Sequence, residues 1–155
     1  GHVIENIHLD GNTFLGMEIK GNLLTIRNNR VTDTGVVGGP AYGIKLWGPG
    51  GRILNNDVIN TIAGDSISSI GIHVMDSDGT VVKDNRIHHV SGGGQLTGFG
   101  IACGNCNNAL VVDNQISDAG TGIFFGGGAD NKYKDNLTSG VTTPFDGGID
   151  AGGNN

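Results

Sequence analysis

The sequence predicts an all-β chain, a stack of about five to six coils with three short strands in each. Two interleaved repeats predict it. A unit of glycine, apolar, variable, then apolar or small residue occurs at Gly16-Met17-Glu18-Ile19, Gly43-Ile44-Lys45-Leu46, Gly71-Ile72-His73-Val74, Gly100-Ile101-Ala102-Cys103, Gly122-Ile123-Phe124-Phe125 and Gly148-Ile149-Asp150-Ala151. Its glycines are spaced 27, 28, 29, 22 and 26 residues apart. An asparagine follows the first five glycines by 13 or 14 residues, at Asn29, Asn56, Asn85, Asn114 and Asn136. A period of about 20–50 residues is the signature of a stacked array.

Each element has a local reason. Strand one is the Gly-Ile-x-Val unit, where apolar residues alternate with variable ones, the pattern of a strand with one buried face. Glycine at its start suits a tight entry from the preceding loop. Strand two is the short apolar run before the asparagine, such as Arg52-Ile53-Leu54 or Val81-Val82-Lys83. The corner pairs Asn28-Asn29, Asn55-Asn56, Asp84-Asn85, Asp113-Asn114 and Asp135-Asn136 suit a left-handed turn. Strand three restarts two residues later with Val31, Val58, Ile87 and Ile116, a pattern that Thr138 breaks. Stacking would bring the asparagines about 4.8 Å apart, close enough for a ladder of side-chain amides.

On these repeats the chain resembles the right-handed parallel β-helix proteins of the pectate-lyase-like superfamily, over about residues 9–151. The resemblance implies a single β-helix domain over residues 1–155 with an asparagine ladder, and a substrate groove over strand one. It also implies a carbohydrate-related role, since similar folds serve polysaccharide lyases, glycoside hydrolases, uronate epimerases, phage tailspikes and surface proteins.

Residues 1–15 read as an incomplete first coil with Ile7, Leu9 and Phe14 apolar and Asn12 at the corner. The loops closing later coils run from Thr32 to Tyr42, Thr61 to Ile70 and 90 to 99, and the coil beginning at Gly100 closes with only a few residues. The core is expected at Met17, Ile19, Ile44, Leu46, Ile72, Val74, Ile101, Cys103, Ile123, Phe125 and Ile149 on strand one. Ile26, Ile53, Val82, Val111 and Tyr133 supply it on strand two, and Val31, Val58, Ile87 and Ile116 on strand three. Open stack ends expose strand edges. End-to-end self-association, neighbouring domains in a longer chain, or Asn/Gly-rich tails folded over the ends would each cover them.

Composition narrows the function classes. Thirty glycines would suggest disorder if unpatterned; here they are periodic among Ile and Val. A net charge of −6 argues against a nucleic-acid partner, which needs clustered Lys and Arg. There is no apolar run long enough for a membrane span. No signal peptide is visible, and Gly1-His2 is compatible with a trimmed leader; the family resemblance favours a secreted or cell-surface location.

The register lists what strand one presents outward. Glu18, Lys45, His73, Ala102, Phe124 and Asp150 form one row; Lys20, Trp47, Met75, Gly104, Gly126 and Gly152 form the next. Glu18, Lys45 and His73 on adjacent coils are the candidate catalytic residues, a carboxylate, an ammonium and an imidazole able to share acid and base duties. Trp47, Lys20 and Asp76 are the candidate substrate-binding residues. The plainer alternative is a cross-strand ion pair beside an exposed histidine. No cofactor is implied. Calcium is admitted at Asp76-Ser77-Asp78-Gly79, although these are also ordinary turn residues. His88-His89 on strand three should face opposite ways, which disfavours zinc. Cys103-Gly104-Asn105-Cys106 has redox-motif spacing without a helix, so Cys103 reads as a buried small residue, a local disulfide being the alternative.

The catalytic signatures of the resembling enzymes are absent: no Asp-Pro-His, no Asn-Thr-Asp, Gly-His-Gly and Arg-Ile-Lys set, no Arg-x-Pro-x-x-Arg. Three functions follow: a domain that binds or processes polysaccharide or oligosaccharide, a structural stalk without a small-ligand site, or a self-contained lyase or epimerase acting on an acidic glycan. The long loops border the end carrying Lys45, Trp47 and His73. A stalk would not need loops graded this way, which favours the first.

Overall fold

The computed structural model describes residues 1–35, 38–64, 68–93 and 98–155. Among them every element is a strand, and every strand pair is parallel. The chain opens with β1 (Val3–Glu5) and β2 (His8–Asp10), then winds through β3 (Leu15–Lys20), β4 (Thr25–Arg27) and β5 (Arg30–Thr34). Two coils repeat that order, as β6 (Ala41–Trp47), β7 (Arg52–Leu54) and β8 (Asp57–Ile62), then β9 (Ser69–Met75), β10 (Val81–Lys83) and β11 (Arg86–Ser91). β12 (Gly98–Gly104) and β13 (Leu110–Val112) follow, then β14 (Gln115–Gly126), β15 (Lys132–Lys134), β16 (Leu137–Asp146) and β17 (Ile149–Asp150). β14 and β16 each run from strand three straight into the next strand one, because the closing loop has vanished there.

Three faces result. Face one stacks β3, β6, β9, β12 and the C-terminal halves of β14 and β16; face two stacks β1, β4, β7, β10, β13, β15 and β17; face three stacks β2, β5, β8, β11 and the N-terminal halves of β14 and β16. The register repeats by one coil, for example Ile44↔Ile72↔Ile101↔Ile123 on face one and Ile26↔Ile53↔Val82↔Val111 on face two. These eight side chains are all 0% exposed, so the expected aliphatic columns form the core. Such burial removes about 1.5–3 kcal/mol worth of apolar surface per side chain from water.

The asparagine ladder is continuous. The backbone N–H and Nδ2 of Asn29 donate to Oδ1 of Asn56 at 3.0 Å, and the same pair of bonds links Asn56 to Asn85, Asn85 to Asn114 and Asn114 to Asn136 at 2.9–3.0 Å. It runs one rung past the sequence expectation, to Asn154. The left-handed residue is the one before each ladder asparagine: φ is +55° at Asn28, +51° at Asn55 and +55° at Asp84. Positive φ turns the chain there, and the following amide points inward.

Four expectations change in detail. Gly148-Ile149 is not a sixth strand one: Ile149 pairs with Lys132 on face two and is 48% exposed, while Pro144-Phe145-Asp146 occupies face one with Phe145 on Ile123. Asp150 therefore leaves the predicted row; Asp146, paired with Phe124, takes its place. Instead, Asp150 accepts hydrogen bonds from the Gly152 amide and Asn154 Nδ2. Asn12 is not a corner either; Asn6 (φ +59°) is, and Ile7 stands in the ladder column, its N–H donating to Asn29. The strand-one glycines serve close packing, not a turn, since Gly43, Gly71 and Gly100 lack positive φ. A Cβ on Gly71 would stand 2.7 Å from both the Gly100 carbonyl oxygen and Ile87 Cγ2. Finally, His88 and His89 are both exposed, because His89 sits at φ +57° and resets the alternation.

Candidate functional site on face one

The row read from the sequence exists. Glu18 pairs with Lys45, Lys45 with His73, His73 with Ala102, and Ala102 with Phe124. The neighbouring row is Lys20, Trp47, Met75, Gly104 and Gly126. Strand pairing spaces successive members by about 4.8 Å.

Glu18 is the junction of the cluster. Its Oε1 accepts a hydrogen bond from Trp47 Nε1 at 3.0 Å and lies 3.6 Å from Lys20 Nζ and 4.0 Å from Lys45 Nζ. The Lys45 side chain is only 14% exposed, and its ammonium lies 4.5 Å from the Tyr42 ring centroid and 4.8 Å from that of Trp47. Such cation–π contacts together with the Glu18 carboxylate compensate its charge locally. Lys20 is 67% exposed, with its ammonium 5.4 Å from the Trp47 ring. The His73 ring stacks on Tyr42 at 5.4 Å and 10°. Burial, and secondarily the Lys45 charge, push the His73 pKa down to about 4, so the imidazole is neutral at pH 7. Its Nδ1 is buried without a hydrogen-bond partner.

Asp76 lies just past β9, exposed and accepting a hydrogen bond from Asn105 Nδ2 at 3.2 Å. It stands beyond Met75 and outside the Glu18–Lys45–His73 cluster. Asp78 likewise accepts from the backbone N–H and Nδ2 of Asn107. Among the described residues no group of three or more His, Cys, Asp and Glu side chains is gathered as a metal would need. Cys103 and Cys106 are free buried thiols.

Tyr42 was not legible as a site residue. Face-one strands begin two residues before the glycine, and the alternation changes phase there: Gly43 and Ile44 are both buried, while Tyr42 is half-exposed. Counting back from Ile44 would turn Tyr42 inward. The same extension brings out Phe99, whose ring lies 5.2 Å from that of Phe124, and Phe14 packs edge-on to Tyr42. The loops expected to flank this face are shorter than the sequence suggested, spanning 35–40, 63–68 and 92–97. Residues 36–37, 65–67 and 94–97 in them lie outside the described residues. A cleft of ≈ 420 Å³ opens on face three beside His88, and one of ≈ 400 Å³ at the corner where face three meets face one, between His89 and Gly98.

A family model described as a right handed beta helix region matches residues 1–154, and the chain belongs to that family. Among solved structures it is similar to a DFA-IIIase mutant from Arthrobacter chlorophenolicus A6 in complex with DFA-III, at 17% identity and a TM-score of 0.61. That match covers 86% of this chain and 29% of the other. It is also similar to the Agl-KA catalytic domain, at 15% identity and a TM-score of 0.51, over 99% of this chain and 41% of that one. The chain thus spans less than half the length of either structure. No curated protein matches it.

Proposed function

We propose that this β-helix binds or processes carbohydrate, with the saccharide lying along face one across the Gly-Ile-x-Val strands. The observation that carries the reading is the in-register cluster of Tyr42, Lys45, Trp47 and His73 around Glu18, which gathers aromatic and ionisable groups from three adjacent coils. The carbohydrate-active character of the two structural neighbours supports it. A secreted or cell-surface location fits such a role. The stalk alternative leaves unexplained why so many aromatic residues share one outer face.

Replacing Trp47 by Ala should weaken glycan retention about tenfold, near 1.4 kcal/mol, the scale of one aromatic contact. The circular-dichroism spectrum should stay unchanged. Equal retention by the variant on a glycan array would remove the reading.

Catalysis by Lys45, His73 and Glu18 is the second reading, motivated by their adjacency. A neutral His73 would serve as a base only weakly, and Lys45 would have to leave its aromatic and carboxylate partners. Turnover of uronic-acid polymers that is lost in Lys45→Ala and His73→Ala would establish it; an inactive parent protein would end it.

A further inference from the structure

We infer that face three carries a second ligand site, a serine-lined trough that takes one uncharged sugar ring; it is independent of the carbohydrate reading of face one. Face three presents two outward rows in register. One runs Asp57, Arg86, Gln115 and Leu137; the other runs Ile59, His88, Ser117 and Ser139. Long side chains stand along the first row, whereas the second drops from a histidine to serines on two successive coils. The drop leaves a trough over β14 and β16, walled by Gln115 and Leu137 and closed at one end by the His88 ring. It is the cleft of ≈ 420 Å³ beside His88. Small-molecule sites begin at about 300 Å³, so it has room for one ring. Leu137 is 50% exposed and Ile59 half-buried, which sets aliphatic surface beside the hydroxyls.

The hydrogen bonds in the trough have a direction. His88 Nδ1 lies 2.8 Å from Ser117 Oγ and 3.4 Å from Asp118 Oδ2. In the neutral imidazole the Asp118 carboxylate favours the proton on Nδ1, which then donates to Ser117 Oγ. Two groups are left for a ligand: the Ser117 O–H as a donor and His88 Nε2 as an acceptor. A donor beside an acceptor suits neighbouring sugar hydroxyls, each of which both gives and accepts a hydrogen bond. Gln115 and Ser139 extend the same mixed lining. The arrangement binds and does not hydrolyse. Serine and carboxylate meet the same ring nitrogen, so the histidine cannot take the serine proton while a carboxylate holds its other side. Charge excludes an anionic ligand. Arg86, the charged residue of the lining, is held by Asp57 at 2.8 and 2.9 Å, and Asp118 adds a second carboxylate. Arg30 lies on the far side of Asp57, away from the trough.

The test is an amide-resolved NMR titration of the isotopically labelled protein with the methyl glycosides of glucose, galactose and fructose, and with methyl glucuronide. The expected result is saturable shifts of the Ser117 and Ser139 amides with at least one neutral glycoside. Methyl glucuronide should bind more weakly than methyl glucoside. Ser117→Ala, which removes the donor, should weaken binding about fivefold, the scale of one hydrogen bond. Ser139→Leu, which fills the trough, should abolish it, with the amides of face two unmoved in both variants as the check on folding. Shifts confined to face one would overturn the inference and leave the carbohydrate reading of that face standing. It is overturned as well if no glycoside moves the two serine amides, if both variants bind as the parent does, or if the glucuronide binds as tightly as the glucoside.

Discussion

His73 shows how one side chain records its surroundings. Its folded-state pKa of about 4 lies below the ordinary 6.5, so between those values the unfolded chain binds the proton more readily than the folded one. The stabilisation is complete above about pH 6.5 and is lost as the pH falls towards 4, by up to about 3 kcal/mol. On acidification across that window the denaturant midpoint of the parent should therefore fall relative to that of His73→Gln; parallel curves would refute the buried neutral imidazole. The thiols give a second check. Cys103 and Cys106 are both 0% exposed, and the hydrogen bond with Cys106, then burial, push the Cys103 thiol up. Alkylation should be slow in the native protein and rapid in denaturant, and fast native labelling would contradict this. The outward position of His73 was readable from the sequence. Its stacking on Tyr42 was not, because residue 42 precedes the glycine where the in–out alternation changes phase.

The coil stands on two devices, the amide ladder and the strand-one glycine. Each ladder amide is buried and bonded both to the next coil and to backbone carbonyls; Asn85 Nδ2 reaches the Ile53 and Lys83 oxygens at 2.9 and 3.0 Å. Asn85→Leu would orphan groups on Asn56 as well as crowd the corner, and should cost about 3 kcal/mol in urea unfolding. A cost below about 1 kcal/mol would mean the ladder is incidental. Gly71→Ala should cost about 1–3 kcal/mol through overpacking against Ile87, with no strain from φ. Both devices were visible as repeats. Their physical roles were less so: sequence gives spacing, and only the packed coil shows that Gly71 faces a neighbour's carbonyl. Spacing also misled at Gly148-Ile149, where a matching tetrapeptide belongs to face two because β14 and β16 had already absorbed the closing loops. Asn154, six residues later, then completes the ladder at a spacing no earlier coil uses.

Across the whole molecule, one periodic core turns linear spacing into vertical adjacency, which is why Lys45 and His73, 28 residues apart, could be placed side by side beforehand. The same regularity makes the outer faces different surfaces: aromatic on face one, and on face three polar pairs beside exposed aliphatic residues, where Arg86 bonds Asp57 at 2.8 and 2.9 Å, His88 bonds Ser117 at 2.8 Å, and Ile62 and Leu137 are exposed. Ligand should therefore distinguish the faces. Trp47 is the chain's one tryptophan, so its fluorescence reports face one alone. Titrating the protein with a saccharide that it retains on the glycan array should shift or quench that emission saturably. Retention with unchanged Trp47 emission would place the saccharide on another face and contradict the groove proposed here.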